Sequence, residues 1–275
     1  MFLAKGRVGF VVLLIAFVWA PLARAQESTT SAQPSRGALI VQDLNAFVED
    51  GVTIFTAPLH FGGSEWLATA GVVGVTAGMI YTTDLPVRHF MLNSRSSAAD
   101  HIADFGNYFG TGVIGGVAAV GLYGTGLVIQ DSGIRVMGRH IVQALAYSGI
   151  ITTAIKALAG RDRPYLNQGP KSFNGPLISD ASNSLPSGHV TVAAAICSSL
   201  AEDINNNWVR AGLYTIAGTT IFARMYTDKH WSSDVFLAGV IGTVCGYWTV
   251  HLHDGAPKNW SLAVTPLWLS YEYHL

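Results

Sequence analysis

Between residues 66 and 250 the chain passes through six stretches without a charged side chain: 66–83, 105–130, 141–155, 190–201, 211–223 and 235–250. All six are rich in Ala, Val, Ile, Leu and Gly and none contains Pro, so each reads as a helix. Helices this apolar leave few ways to fold. They must bury against one another or against lipid. Charged residues make up 12% of the 275 residues, about half of the roughly 25% usual in soluble domains. The mean hydropathy of +0.36 excludes a disordered chain, which needs low hydrophobicity and high charge. A net charge of -1 without any basic run argues against a nucleic-acid partner. The two cysteines, Cys197 and Cys245, lie in apolar stretches and read as buried free thiols. The expected fold is all-α, a bundle of about six core helices.

The second stretch carries eight glycines, Gly112 and Gly116 among them. In water each would cost a helix about 1 kcal/mol relative to Ala, whereas in a membrane small residues let helices approach closely. Trp66, Tyr81, Tyr108 and Trp208 stand at stretch ends, where interfacial aromatics belong. The composition favours a membrane-integral bundle. A soluble or peripheral helical domain is the alternative, because 190–201 and 211–223 are shorter than the roughly 20 residues of a span.

At the N-terminus, Lys5 and Arg7 precede an apolar run from Val8 to Ala20, then Pro21 and Ala23-Arg24-Ala25. A basic region, a short apolar region and an A-x-A site describe a secretory signal peptide, expected to be cleaved after Ala25. Residues 26–37 read as a flexible polar leader, 38–253 as one helical domain, and 254–275 as a tail. Within the tail, Leu267, Leu269, Tyr271 and Tyr273 alternate, which suggests one extended strand.

Three polar clusters sit at helix ends. Lys156 to Pro164 closes the third helix, Pro186-Ser187-Gly188-His189 opens the fourth, and Arg224 to Asp234 links the fifth to the sixth. With these residues the sequence resembles the type 2 phosphatidic acid phosphatase (PAP2) and vanadium haloperoxidase superfamily. Its motifs K-x6-RP, PSGH and SR-x5-H-x3-D are matched at Lys156, Arg163, Pro164, Pro186 to His189, Arg224, His230 and Asp234. The resemblance covers about 141–250. Ala223 stands where the third motif usually has Ser, which touches a minor hydroxyl contact.

The chemistry of these residue types agrees with the resemblance. A phosphoryl group in transfer spreads negative charge over three oxygens. Lys156, Arg163 and Arg224 supply three cations, two of them able to bond oxygens bidentately. Ser187 and Gly188 precede a helix, whose N-terminal amides can face an anion. His230 and Asp234 are four apart, which puts them on one face if the sixth helix begins there. Taken singly, the same residues have plainer readings: Lys156 and Arg163 as helix-end or membrane-boundary cations, His230 with Asp234 as an exposed pair. Three clusters in the right order and spacing outweigh them.

The resemblance implies His230 as nucleophile through a phosphohistidine, His189 as general acid, Asp234 as orienter of the imidazole, and no metal or other cofactor. Arg161, Asp162, Tyr165, Tyr226, Asp228 and Trp231 lie beside the motifs without an assigned role. The expected function is hydrolysis of phosphate monoesters or pyrophosphates, on a phosphorylated lipid or a small phosphate ester. No obligate protein partner is evident. The expected site is the cell envelope, in the membrane with the active site outward, or soluble in the periplasm. The competing functions are a soluble non-specific acid phosphatase, a vanadate-dependent haloperoxidase, transfer to an acceptor other than water, and an inert membrane protein of the same fold.

Overall fold

The computed structural model describes residues 34–176 and 181–252, and the backbone of 262–265 and 268–271. The expected signal peptide and residues 26–33 of the leader lie outside the described residues. The chain divides into two compact units, 1–42 and 43–275; the architecture below is that of the second.

Nine α-helices run through the described residues: α1 (Arg36–Thr56), α2 (Gly63–Thr82), α3 (Asp84–Asn93), α4 (Ser97–Phe109), α5 (Gly112–Ile129), α6 (Ser132–Ala159), α7 (Gly188–Ile204), α8 (Asn207–Tyr226) and α9 (Ser232–His251). The all-α fold is as expected, and each of the six apolar stretches lies in a helix. The second stretch is broken at Gly110 and Thr111, where α4 ends and Thr111 caps α5 through its side chain. The third is the middle of a helix almost twice its length, because Asp131 caps α6 ahead of Arg135, Arg139 and His140. In the tail, β1 (Leu262–Thr265) pairs antiparallel with β2 (Trp268–Tyr271), in the segment read from sequence as one strand.

At the centre is α7. Its residues Val190, Thr191 and Ala193 to Ala201 are all buried, enclosed by α6, α8 and α9. Glycines make the closest approaches. A Cβ on Gly242 or Gly246 of α9 would lie 2.5 Å from the Thr191 carbonyl oxygen or 2.6 Å from that of Ala195. On α5 the packing glycines are Gly115 and Gly126, while Gly112 and Gly116, the pair four apart in the sequence, face open space.

Helices α5, α6 and α9 are long and apolar enough to cross a membrane, and α2 with α3 forms a fourth candidate bent by 57°. Outward side chains on them include Val113, Val117, Val120, Val128 and Ile150, all at least half exposed. Such a surface suits lipid and is costly in water. The short stretch 190–201 is explained by its position: α7 is wrapped by other helices and needs no lipid-facing length.

Helix α1 was not evident in the sequence, where Asp43, Glu49 and Asp50 interrupt the apolar pattern. Within the second unit Asp43 and Asp50 turn inward, while Glu49 is exposed. Asp43 pairs with Arg135 and Arg139 and accepts a bond from Tyr123, and Asp50 accepts one from Gln143 at 2.7 Å. Leu44, Val48, Val52 and Phe55 face outward. Along α6 this cluster lies about 20 Å (Gln143) to 31 Å (Arg135) from Lys156, at 1.5 Å per residue. The two ends of α6 therefore carry separate polar centres.

Candidate active site

The site forms where α6 and α8 end and α7 and α9 begin. Gly160 ends α6 in the left-handed conformation, φ 53°, its N–H bonded to the Lys156 carbonyl at 3.0 Å. A Cβ there would lie 2.0 Å from the Gly175 carbonyl oxygen, so both the backbone angle and the space require glycine. The loop that follows is knotted together by Asp162, whose carboxylate accepts from Ser172, Asn174 and Ser182 at 2.6–2.8 Å. Trp231, buried, donates its indole N–H to the Asp162 carbonyl at 2.9 Å. These bonds hold the loop carrying Arg163 against the start of α9.

The predicted cations gather around the first turn of α7. Lys156 donates to the Asn183 carbonyl at 2.5 Å and lies 3.9 Å from the Cβ position of Gly188. Arg224, buried, donates one Nη1 bond to Asn107 at 2.8 Å, while its Nε has no partner. The Nε of Arg163 and the hydroxyl of Ser187 are likewise buried and without a partner among the described residues. Buried donors cost about 1–3 kcal/mol each when left unsatisfied, so three at one place describe a cradle shaped for an acceptor-rich ligand.

His189 stands in the first turn of α7. Burial, then the charges of Arg224, Arg163 and Lys156, hold its pKa down at about 4. His230 lies in the turn before α9 and is pushed down to about 3, by burial first, with Asp234 opposing and Lys156 and Arg224 adding. Both imidazoles are therefore neutral at pH 7. A bound dianion would reverse the field of the cations and favour a proton on His189.

Two details differ from the sequence reading. First, His230 precedes α9, so it does not share a helical face with Asp234. Its Nδ1 bonds the Ser184 carbonyl at 2.8 Å, and Asp234 Oδ2 is 3.7 Å away. The carbonyl makes Nδ1 the protonated nitrogen, and Nε2 is left with a free lone pair. Asp234 is the third residue of α9 and accepts from Trp231 N at 2.8 Å as a capping-box partner. Second, the Ser187 N–H is taken by the Asp234 carbonyl at 3.1 Å. Ser187 thus offers its hydroxyl to an anion, and the backbone donors begin at Gly188, in the first turn, where amides have no helical acceptor.

Ala223, in place of the usual Ser, is fully buried against Ala103 and Tyr226; a methyl suits that contact. Sequence reasoning missed Asp84, Ser184, Asn183 and Asn107. Only Asp84 left a signal, as the first charge after an eighteen-residue uncharged stretch. Among the described residues no group of three or more His, Cys, Asp or Glu is placed to hold a metal ion.

The comparisons with known proteins agree with this geometry. Residues 138–258 match the model of the PAP2 superfamily. Over 108 residues the chain is 33% identical to a lipid A 1-phosphatase of Porphyromonas gingivalis, covering 36% of this chain but 24% of that protein. The chain thus spans about a quarter of the length of the curated relative it matches. Its fold resembles that of a transmembrane PAP2-type phosphatidylglycerolphosphate phosphatase from Bacillus subtilis. There the TM-score is 0.52 at 15% identity, over 72% of this chain and 99% of that one. A weaker likeness, TM-score 0.46 at 20% identity, links it to LpxE of Aquifex aeolicus, over 61% and 94% of the two chains. The PAP2 match contains the whole cradle from Lys156 to Asp234, while Asp84 and Asn107 come from outside it.

The two depressed histidines make the site pH-sensitive in a defined direction. Between the ordinary pKa of 6.5 and the folded values of about 4 and 3, the unfolded chain binds more protons. Stability therefore falls as pH drops through that window. Melting of the ligand-free protein is expected to move to lower temperature from pH 7 to pH 5, and less steeply in His189→Asn. Equal slopes in the two proteins would remove His189 from the account.

Proposed function

We propose that the chain is a membrane-integral phosphatase that removes phosphate from lipids, as a monoester or pyrophosphate, through a phosphohistidine on His230 and without a metal. The observation that carries the reading is the trio of buried, unpartnered donors on Arg163, Arg224 and Ser187 beside a histidine whose other nitrogen is already bonded. An anion with three acceptor oxygens satisfies all of them at once.

In this scheme Lys156, Arg163, Arg224, the Ser187 hydroxyl and the Gly188 amide take the phosphoryl oxygens. His230 Nε2 forms the bond to phosphorus as the bond to the leaving oxygen breaks. His189 gives that oxygen its proton, then recovers one from the water that cleaves the phosphohistidine. The products are the dephosphorylated alcohol, or phosphate ester from a pyrophosphate, and inorganic phosphate. Asp234 and the Ser184 carbonyl hold the imidazole and offset the positive charge it gains.

Support for a lipid substrate comes from the chain's surroundings. Helices α5, α6 and α9 bring the cradle to the end of apolar spans. Asp84 opens α3, which exposes Leu85, Phe90 and Leu92 beside the site. The relatives' printed names, lipid A 1-phosphatase and phosphatidylglycerolphosphate phosphatase, are lipid phosphatases. An outward-facing site in the cell envelope belongs to the same proposal and rests on the signal-like N-terminal sequence.

The test is phosphate release by the purified protein in detergent from a panel of lipid monophosphates, lipid pyrophosphates and soluble esters, with and without EDTA. Release from lipids in preference to soluble esters, unaffected by EDTA, is expected. Activity lost to EDTA and restored by one added metal would reject the metal-free scheme. No release, together with vanadate-dependent bromide oxidation, would replace the phosphatase by a haloperoxidase. Release from intact cells given a membrane-impermeant substrate tests the outward orientation.

A further inference from the structure

Arg161 is a fourth cation beside the site, and all of its donors are taken by groups of the protein. It is 0% exposed, and its five N–H bonds are all made within the protein. Nε and Nη2 donate to the Pro170 carbonyl, Nη1 to Ser233 Oγ at 2.8 Å and to Asp234 Oδ1 at 2.5 Å, and Nη2 to Asp84 Oδ2 at 2.7 Å. A guanidinium so occupied has no donor left for a phosphate.

What it does instead is join two fully buried carboxylates. Asp84, the first residue of α3, is 1% exposed. It accepts from the Ser232 hydroxyl at 2.7 Å, the Ser233 N–H at 2.9 Å and the Ser233 hydroxyl at 2.7 Å. It therefore pins both Arg161 and the first turn of α9, the turn that carries Asp234. With Oδ1 of Asp234 held by Arg161, Oδ2 is turned to Trp231 N, the Ser184 hydroxyl and the edge of His230. The three charges sum to one negative. That balances the positive charge His230 acquires when it is phosphorylated, and a lone Asp234 without Arg161 would be a buried carboxylate with much poorer compensation.

We propose that Asp84 and Arg161 are positioning residues for the His230–Asp234 pair, acting through Asp234 and not on the phosphate. The proposal rests on the reading of His230 as nucleophile. Asp84 comes from a helix that precedes the PAP2-matched segment, so the site is completed by a residue outside that segment.

A double-variant comparison of kcat, KM and vanadate affinity tests this. Asp84→Asn, which keeps shape and removes the charge that holds Arg161, is expected to lower kcat about 100-fold through misplacement of the reacting group. KM and vanadate affinity, set by the cradle, stay unchanged. Arg161→Lys, which cannot span two carboxylates, behaves likewise. In an Asp234→Asn background Asp84→Asn costs nothing further, because its target is gone; a purely structural role would cost as much in either background. Should Asp84→Asn not fold, Ser232→Ala with Ser233→Ala removes two of its donors, keeps every charge, and is read in the same way. Wild-type kcat in Asp84→Asn, or its full loss repeated on top of Asp234→Asn, overturns the positioning role alone. A wild-type protein that releases no phosphate from any substrate overturns both this proposal and the phosphatase reading.

Discussion

Replacing His230 with alanine is expected to lower phosphate release by on the order of 10⁴-fold or more, the scale seen when a nucleophile is removed, while the protein still melts cooperatively. The imidazole makes one strong bond to the fold, from Nδ1 to the Ser184 carbonyl, so its loss leaves few partners stranded. Brief reaction of the wild type with a 32P-labelled substrate, followed by quenching in alkali, should leave label on the protein that acid removes, as a phosphoramidate bond requires. His230→Ala should carry none. His189→Asn should slow labelling by esters with poor leaving groups more than by those whose leaving oxygen needs no proton, because only the former depend on an acid. Turnover near the wild-type rate in His230→Ala would end the phosphohistidine mechanism.

Much of this arrangement could be read before any coordinates. Helices followed from charge-free, proline-free stretches, and the cradle from three clusters that each closed or opened a helix. What could not be read was set by tertiary contact. Asp43 and Asp50 look like interruptions of an apolar segment because their partners, Arg135, Arg139 and Gln143, are about 90 positions away. Separations of 77 to 149 positions likewise hid Asp84, which meets Arg161, Ser232 and Ser233 only in the folded chain. The His230–Asp234 spacing suggested a helical face, yet the helix starts two residues later and Ser184 supplies the bond to Nδ1. A spacing of four fixes which residues are close but not which atom of the backbone stands between them. The Gly112 and Gly116 pair taught a related lesson. Small residues four apart permit close packing, and only the neighbouring helix decides which pair is used.

Arg163→Ala is expected to weaken vanadate or phosphate binding about 100-fold, a loss of roughly 3 kcal/mol, which lies within the cost of truncating one partner of a buried charge pair. Arg224→Ala should weaken it similarly. Arg163→Lys keeps the charge but loses the fork that bonds two oxygens together, so its loss should be smaller. The sign of the effect on stability separates this account from a structural one. In the ligand-free protein Lys156, Arg163 and Arg224 repel one another, and the Nε of Arg163 has no partner among the described residues that its removal would strand. Melting of the ligand-free Arg163→Ala protein should therefore stay level or rise, while its stabilisation by added vanadate disappears. Arg135→Ala, at the far end of α6, should do the opposite. Its guanidinium pairs with buried Asp43, so its loss leaves that carboxylate with only Arg139 and Tyr123 and lowers the melting temperature without touching the cradle about 31 Å away. Vanadate affinity unchanged in Arg163→Ala, or a lower melting temperature in the empty protein, would mean that Arg163 serves the fold and not the phosphate.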